Sequence, residues 1–402
     1  MRSLLQKLGP GFLFAGAAIG VSHLVQSTRA GADFGMGLLW ALLLINAVKY
    51  PFFEYGPRYA SATGKSLLDG YHELGKGVLG IYFLVTFCTM FTIQAAVTIV
   101  TAGIASSLFG SGSMVLWASI ITAVCFGILM LGRYKVLDGL MKVIVISLTI
   151  STIVAVLLAT KTAPAIDMGQ ILPEDAISIG FLIAFMGWMP APLDISIWHS
   201  VWTVEKKKLD PTITPRQSRF DFNVGYIATT VLAIGFVMLG ALVMYGSGES
   251  FSSQGTQFAN QLIAMYTYSL GDWAKVVIGV AALTTMFSTT LTTLDASPRV
   301  MRSSTEKLFN LSMRRGYLLW MLLLIAGTLS IFFFFIAEMG LLIKIATILS
   351  FLTAPFYAIL NFWLIRSKHT PSEARPSRLM QGYSIFSILV LISFSIWYLS
   401  TL

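Results

Sequence analysis

The apolar positions of this 402-residue chain fall in long unbroken blocks, not in the alternation of a half-buried strand or the spacing of a one-sided surface helix. A helix that crosses the hydrocarbon core of a bilayer needs about 20 mainly apolar residues. Eleven segments meet that length, near 9–30, 36–57, 77–108, 113–132, 136–160, 176–203, 220–246, 273–296, 317–337, 339–365 and 380–400. The pattern predicts an all-α polytopic membrane protein of eleven transmembrane helices, in one transporter-sized domain over 1–402. The start, Met1-Arg2-Ser3-Leu4-Leu5-Gln6-Lys7, is basic and precedes an apolar stretch. Polar residues and His23 interrupt that stretch and no small-residue cleavage site follows, so it reads as a first membrane helix and not as a removable signal.

Two segments are interrupted as the others are not. The first contains Gly16-Ala17-Ala18-Ile19-Gly20-Val21-Ser22-His23 and the sixth contains Gly187-Trp188-Met189-Pro190-Ala191-Pro192. Glycine loosens a helix and proline removes a donor, so at membrane depth the freed backbone must be satisfied by protein, water or a ligand. Packing kinks are one use of such breaks, since Gly and Pro are frequent in membrane helices. Their placement points to another. Segments 1–5 (about 9–160) and 6–10 (about 176–365) form two five-helix units of opposite direction, each opening on a broken helix, with segment 11 (about 380–400) added. Paired broken helices in inverted repeats mark a transporter's substrate site near the bilayer midplane.

Composition and charge agree with the blocks. With 56% hydrophobic and 11% charged residues, the chain fits neither a set of soluble domains nor a disordered polymer. Its net charge of +9 raises the question of nucleic acid, but the positions of the charges answer it. If the N-terminus is cytoplasmic, the inside loops hold 21 Lys and Arg against three outside, Arg29, Lys161 and Lys275. That asymmetry predicts a multi-pass protein of the inner membrane, N-terminus cytoplasmic and C-terminus outside, partnered by lipid and not by nucleic acid. Cys88 and Cys125 lie inside apolar blocks with no Cys/His cluster around them, which indicates neither a disulfide framework nor a zinc site.

Around these breaks the chain resembles the Nramp family of proton-coupled divalent metal transporters, which have the LeuT fold. The resemblance runs from Gly9-Pro10-Gly11-Phe12-Leu13 through Ala30-Gly31-Ala32-Asp33-Phe34-Gly35 and Leu38-Leu39-Trp40 to Ala62-Thr63-Gly64-Lys65. It resumes at Thr101-Ala102, Leu108-Phe109-Gly110, Met189-Pro190 and His199-Ser200. It implies a LeuT-like 5+5 inverted repeat and an alternating-access carrier of a divalent metal cation of the manganese, iron or magnesium class. The family's functional motifs are altered here. Its Asp-Pro-Gly-Asn in the first helix falls on Gly20-Val21-Ser22-His23, and its Met-Pro-His in the sixth reads Met189-Pro190-Ala191. The Asp and Glu of its proton route fall on Gln94 and Val97.

A cation stripped of water needs several donors, usually including an anion. The candidates are Asp194 for the charge, His23, Met189 sulfur, Ser22 and the carbonyls freed around Gly20 and Gly187. A His, Met and Asp set suits a soft or borderline metal better than magnesium. Each has a plainer role open to it: Asp194 as a helix cap, His23 as a packed neutral ring, Met189 as a gap filler. Gln26, Gln94, Trp188 and Thr353 are candidates for the solute pathway or for bridges between helices. Glu54 and Arg58, Asp138 and Lys142, and Asp295 and Arg299 each set an acid four residues before a base at cytoplasmic helix ends. They suit an intracellular gate that exchanges partners, or local pairs contributing about 0.3–0.5 kcal/mol each. Lys344 and Lys49 lie within helices, where a lysine can carry a proton, stand in for a coupling cation or complete a structural pair.

The rival to metal transport is a LeuT-fold carrier of another small solute, organic or anionic, with proton or sodium as coupling ion in either case. No resident cofactor is expected. Enzymatic activity is not: His72-Glu73 lacks the second histidine of a zinc-protease helix, and no phosphate-binding loop accompanies the helices.

Overall fold

The computed structural model describes residues 9–110, 112–132, 149–161, 167–248, 250–335 and 338–402. Asp138 and Lys142 lie outside them. The described residues are helical with no strand. The first expected segment divides into α1 (Pro10–Ala18), a π-helical turn (Ser22–Ser27) and α2 (Thr28–Phe34). There follow α3 (Leu39–Thr63), α4 (Leu67–Leu74), α5 (Lys76–Phe109), α6 (Met114–Met130) and α7 (Thr149–Lys161). The sixth segment is likewise divided, into α8 (Ala176–Trp188) and α9 (Ile195–Leu209). Then come α10 (Pro215–Val243), α11 (Gly255–Leu270), α12 (Ala274–Phe309), α13 (Gly316–Ser330), α14 (Met339–Arg366) and α15 (Arg378–Leu399).

Helices α5, α10, α12, α14, α15 and α13 with its π-helical continuation are each long and apolar enough to cross a membrane. Shorter apolar helices include α6, α7 and α8. Two helices fall outside the eleven expected segments. α4 is held by a capping box, with Ser66 and Asp69 each bonding the other's backbone N–H, worth about 1 kcal/mol. α11 buries Phe258, Ala259, Leu262, Met265 and Tyr266, a one-sided pattern of a helix lying on α5 and α12. Several helices also run past the apolar blocks: α12 continues to Phe309, beyond the expected end near 296, until Asn310 takes a left-handed conformation (φ 52°). Length in the membrane is set by hydropathy, but a helix stops only where its backbone is broken or capped.

The broken first helix is gripped by α10, which packs along α1, the π-turn and α2. Small residues permit this. A methyl group on Gly11 would lie 2.1 Å from the Asp221 carbonyl oxygen, and one on Gly31 would lie 2.0 Å from that of Val237. Such close backbone approach is how helices associate where lipid offers no hydrophobic drive. Asp221 also accepts from Gly9 N (3.1 Å) and Gly11 N (2.7 Å), so a carboxylate on α10 satisfies the first free amides of α1. The broken sixth segment sits elsewhere: α8 lies on α14, and α9 on α3 and α1.

Candidate substrate site between the two helix breaks

α1 ends where Ile19 N donates to Ala15 O (2.8 Å), and its next carbonyls turn to side chains. Ala18 O accepts from Ser22 Oγ (2.8 Å) and Ile19 O from Thr289 Oγ1 of α12 (3.4 Å). Thr289 also explains Gly20: a methyl group at that position would meet Thr289 Oγ1 at 2.8 Å, so the first break has no room for a side chain there unless α12 yields. His23 is fully buried and directed at α10, with Nε2 3.0 Å from Thr229 O and Nδ1 2.7 Å from Ser22 Oγ. A neutral imidazole that donates Nε2–H to that carbonyl leaves Nδ1 as an acceptor, so the one Ser22 hydroxyl proton is shared between Nδ1 and Ala18 O. Both nitrogens are then engaged, and neither offers a free lone pair to a cation. Ser22 Oγ also lies 3.3 Å from Pro190 O, joining the first break to the second.

α8 starts at Asp175, whose Oδ1 accepts from Ile177 N (3.0 Å) and Ser178 N (2.9 Å). It ends at Trp188, and residues Met189 to Asp194 form the break, with a cis Met189–Pro190 peptide. The carbonyls left open there meet Lys49. This lysine of α3 is fully buried, and its Nζ donates to Gly187 O (2.6 Å), Met186 O (2.9 Å) and Ala191 O (3.3 Å). An ammonium has three protons and three carbonyls take them. Met186 and Gly187 stand in the last turn of α8, where the helix dipole favours a cation. Lys344, the other lysine noted in the sequence, is exposed on α14 with its ammonium near Gly180.

Trp188 Nε1 donates to Ser350 Oγ of α14 (2.7 Å), and Met189 is fully buried. Asp194 occupies the N-cap position of α9 but makes no capping hydrogen bond. It is buried, its Oδ1 has no hydrogen-bond partner, and it lies within electrostatic range of Lys49. The carboxylate borders a cavity with room for the centre of one water-sized sphere (about 10 Å³), lined also by Thr89, Ile93, Pro192, Leu193, Ser350, Thr353 and Tyr357. Of the expected residues the structure thus brings together Asp194 and Thr353, with Trp188 on Ser350 beside them. It sets His23 apart, against α10. Gln94 bridges α5 to α12 through Nε2, at 3.1 Å from Thr98 Oγ1 and 3.4 Å from Thr290 O, with Oε1 unpartnered. Gln26 is buried in the π-turn.

Sequence reasoning missed Thr89, Ser350 and Tyr357. Ser350, Thr353 and Tyr357 recur at helical spacing, so a polar stripe on an apolar helix was the available signal. It also missed the carbonyl set around Lys49. Among the described residues no group of three or more His, Cys, Asp or Glu side chains is placed to hold a metal.

At one end of the bundle, Glu54 Oε1 accepts from Arg58 Nε (2.8 Å) and from Arg219 Nε of α10 (3.0 Å), so an α3 carboxylate ties two helices together. Asp295 is held by Arg299 Nε (2.7 Å) and by Tyr317 OH of α13 (2.5 Å), with the Arg299 guanidinium 5.0 Å from the Tyr317 ring centre. On α4, Asp69 pairs with Lys307 Nζ of α12 (2.5 Å). Burial pushes the Asp69 carboxyl up, but hydrogen bonds from Lys307 and Ser66 outweigh it and hold the group below its ordinary value.

Two broken helices joined where Ser22 meets Pro190, the second of them beside a buried carboxylate, a lysine and a stripe of hydroxyls, within a sheath of apolar helices, define a multi-pass membrane transporter. The family described as "Natural resistance-associated macrophage protein-like" matches residues 11–401, and the chain belongs to it. It is therefore a transporter and not an enzyme. An uncharacterised protein of Pasteurella multocida is 36% identical over 402 residues, 98% of this chain and 92% of that protein. The divalent metal cation transporter MntH of Aeromonas hydrophila is 24% identical over 325 residues, 78% of this chain and 77% of that protein. Among solved structures, the Eremococcus coleocola manganese transporter in complex with an aromatic bis-isothiourea compound superposes with a TM-score of 0.74 at 15% identity, covering 100% of this chain and 87% of that one. The fold is LeuT-like.

Proposed function

We propose that the chain works by alternating access as a secondary carrier of a divalent metal cation, with the cargo bound beside Asp194 between the two breaks. The observation that carries this reading is the Asp194 carboxylate, buried with one oxygen free at a cavity lined by hydroxyls. A buried charge without a full set of partners is costly unless a ligand completes it. Kinship supports a metal as that ligand, since the Aeromonas relative is named a divalent metal cation transporter and the Eremococcus structure a manganese transporter. The donors around the cavity are oxygens, which suit magnesium or manganese better than a soft ion. This shifts the emphasis away from a His, Met and Asp set, because His23 spends both nitrogens on Ser22 and Thr229.

A second reading, a carrier of another small organic or anionic solute, draws support from Lys49, whose ammonium fills carbonyls that a metal could otherwise use. In both readings the charge asymmetry of the loops orients the N-terminus to the cytoplasm, and the bond from Glu54 to Arg219 closes the cytoplasmic end as a gate.

Uptake of manganese, magnesium and iron(II) into proteoliposomes, with and without proton and sodium gradients, tests the proposal. Saturable flux is expected, reduced at least about tenfold by Asp194→Asn, the effect of losing about 1.4 kcal/mol of binding. His23→Ala is expected to change the metal preference little. Folded protein that neither binds nor moves any divalent ion leaves the second reading.

A further inference from the structure

The resolution of one lysine into the second helix break has a meaning independent of the cargo. Helix α8 ends with carbonyl oxygens that no backbone amide reaches, at the negative end of its dipole and within the apolar core of the bundle. A site of that kind attracts a monovalent or divalent cation from solution, because clustered carbonyls replace a hydration shell. Here Gly187 O, Met186 O and Ala191 O are instead gathered around Lys49 Nζ, which comes from α3, a helix of the other repeat. Lys49 is at 0% exposure, so water does not share the ammonium's bonds. Gly187 adds to the fit. A methyl group at that position would lie 2.1 Å from Thr347 O, so α8 is pressed onto α14 just where its carbonyls turn toward Lys49.

We propose that Lys49 is a tethered cation: its ammonium takes the place of a dissolved coupling cation at the Met186, Gly187 and Ala191 carbonyls, and this arrangement of α8 and α9 therefore needs no sodium, potassium or other free ion at that position. The fixed charge also determines selectivity. It repels any second cation from the carbonyl set and confines a cationic cargo to the Asp194 side of the break. The inference goes beyond the proposed cargo and does not rest on it, and its readout is stability and not uptake, so the two can fail separately.

The test is thermal unfolding of the purified full chain in detergent, with N-methylglucamine as the inert reference cation. For the native sequence the midpoint is expected to be the same in sodium, potassium, methylammonium and N-methylglucamine. Lys49→Ala should lower the midpoint by several degrees, and methylammonium, which restores an ammonium to the vacated place, should raise it again saturably at millimolar concentration while N-methylglucamine does not. An alanine variant as stable as the native chain, or one lowered equally in every cation, overturns the proposal. Should that variant not survive extraction, Lys49→Arg and Lys49→Met decide the matter, being similar in length but different in charge. Recovery of folded protein for arginine alone is the expected result, and equal behaviour of the two overturns it.

Discussion

The two helix breaks arise from similar sequence, small residues and turn formers inside an apolar block, yet their freed carbonyls are closed by opposite means. At the first, Ala18 O and Ile19 O accept from the hydroxyls of Ser22 and Thr289, neutral groups with one proton each. At the second, Met186 O, Gly187 O and Ala191 O share the protons of one ammonium. A neutral hydrogen bond is worth a net of about 0.5–1.5 kcal/mol and can be exchanged for a bond to water at little cost. A buried charge has no such exchange, because leaving it unpartnered costs several kcal/mol. Opening the second break is therefore the costlier of the two.

Replacing Lys49 by methionine strikes at the second break and carries the largest expected effect. It removes three hydrogen bonds and leaves Asp194 without its nearby opposite charge, which together should cost about 3–5 kcal/mol in unfolding experiments. Ser22→Ala, the matching change at the first break, should cost about 1–2 kcal/mol. Equal losses for the two would dissolve the contrast between them.

Gly20→Asp sharpens it from the other side. The substitution places a carboxylate in the first break, but Thr289 occupies the space, so the variant should lose about 1–3 kcal/mol and gain no metal affinity. Adding Thr289→Ala should recover part of that stability, and calorimetry with manganese then shows whether the enlarged space admits an ion. Tight metal binding by Gly20→Asp alone would mean that α12 yields more readily than its packing indicates.

The smallest effect is expected far from both breaks, at Asp69. Its carboxyl is held below the ordinary value by Lys307 and Ser66 once their bonds outweigh burial, so the pair stabilises the folded chain when Asp69 is charged. Asp69→Asn should cost no more than about 1 kcal/mol near neutral pH, since the pair is partly exposed. That difference from the native chain should shrink as the pH falls below about 4, where the carboxyl takes up its proton in the unfolded and then the folded state. A difference that grows with acid would assign the opposite sign to the pair.

Much of this protein is legible from one-dimensional pattern. Among the described residues the apolar blocks fall on helices, and the Gly and Pro clusters at Gly16–His23 and Gly187–Pro192 fall where the first and sixth segments are interrupted. These features depend on residues within one or two turns of each other, so the sequence carries them directly. The helices α4 and α11 were less visible because neither is long and apolar, and their signals, a capping box and a one-sided stripe, are weak beside eleven hydrophobic blocks.

The chemistry of the site is another matter. His23, the residue that stands out in the first break, turns to Thr229 on α10, while Lys49, a single charge in the middle of α3, reaches carbonyls 137 to 142 positions away. The chain by itself determined that this is a membrane helix bundle with two costly interruptions, because hydropathy and backbone propensity act locally. Only the tertiary structure decided which donors close each interruption. A buried proton goes to whichever acceptor packing brings within about 3 Å, and packing is a property of all the helices at once.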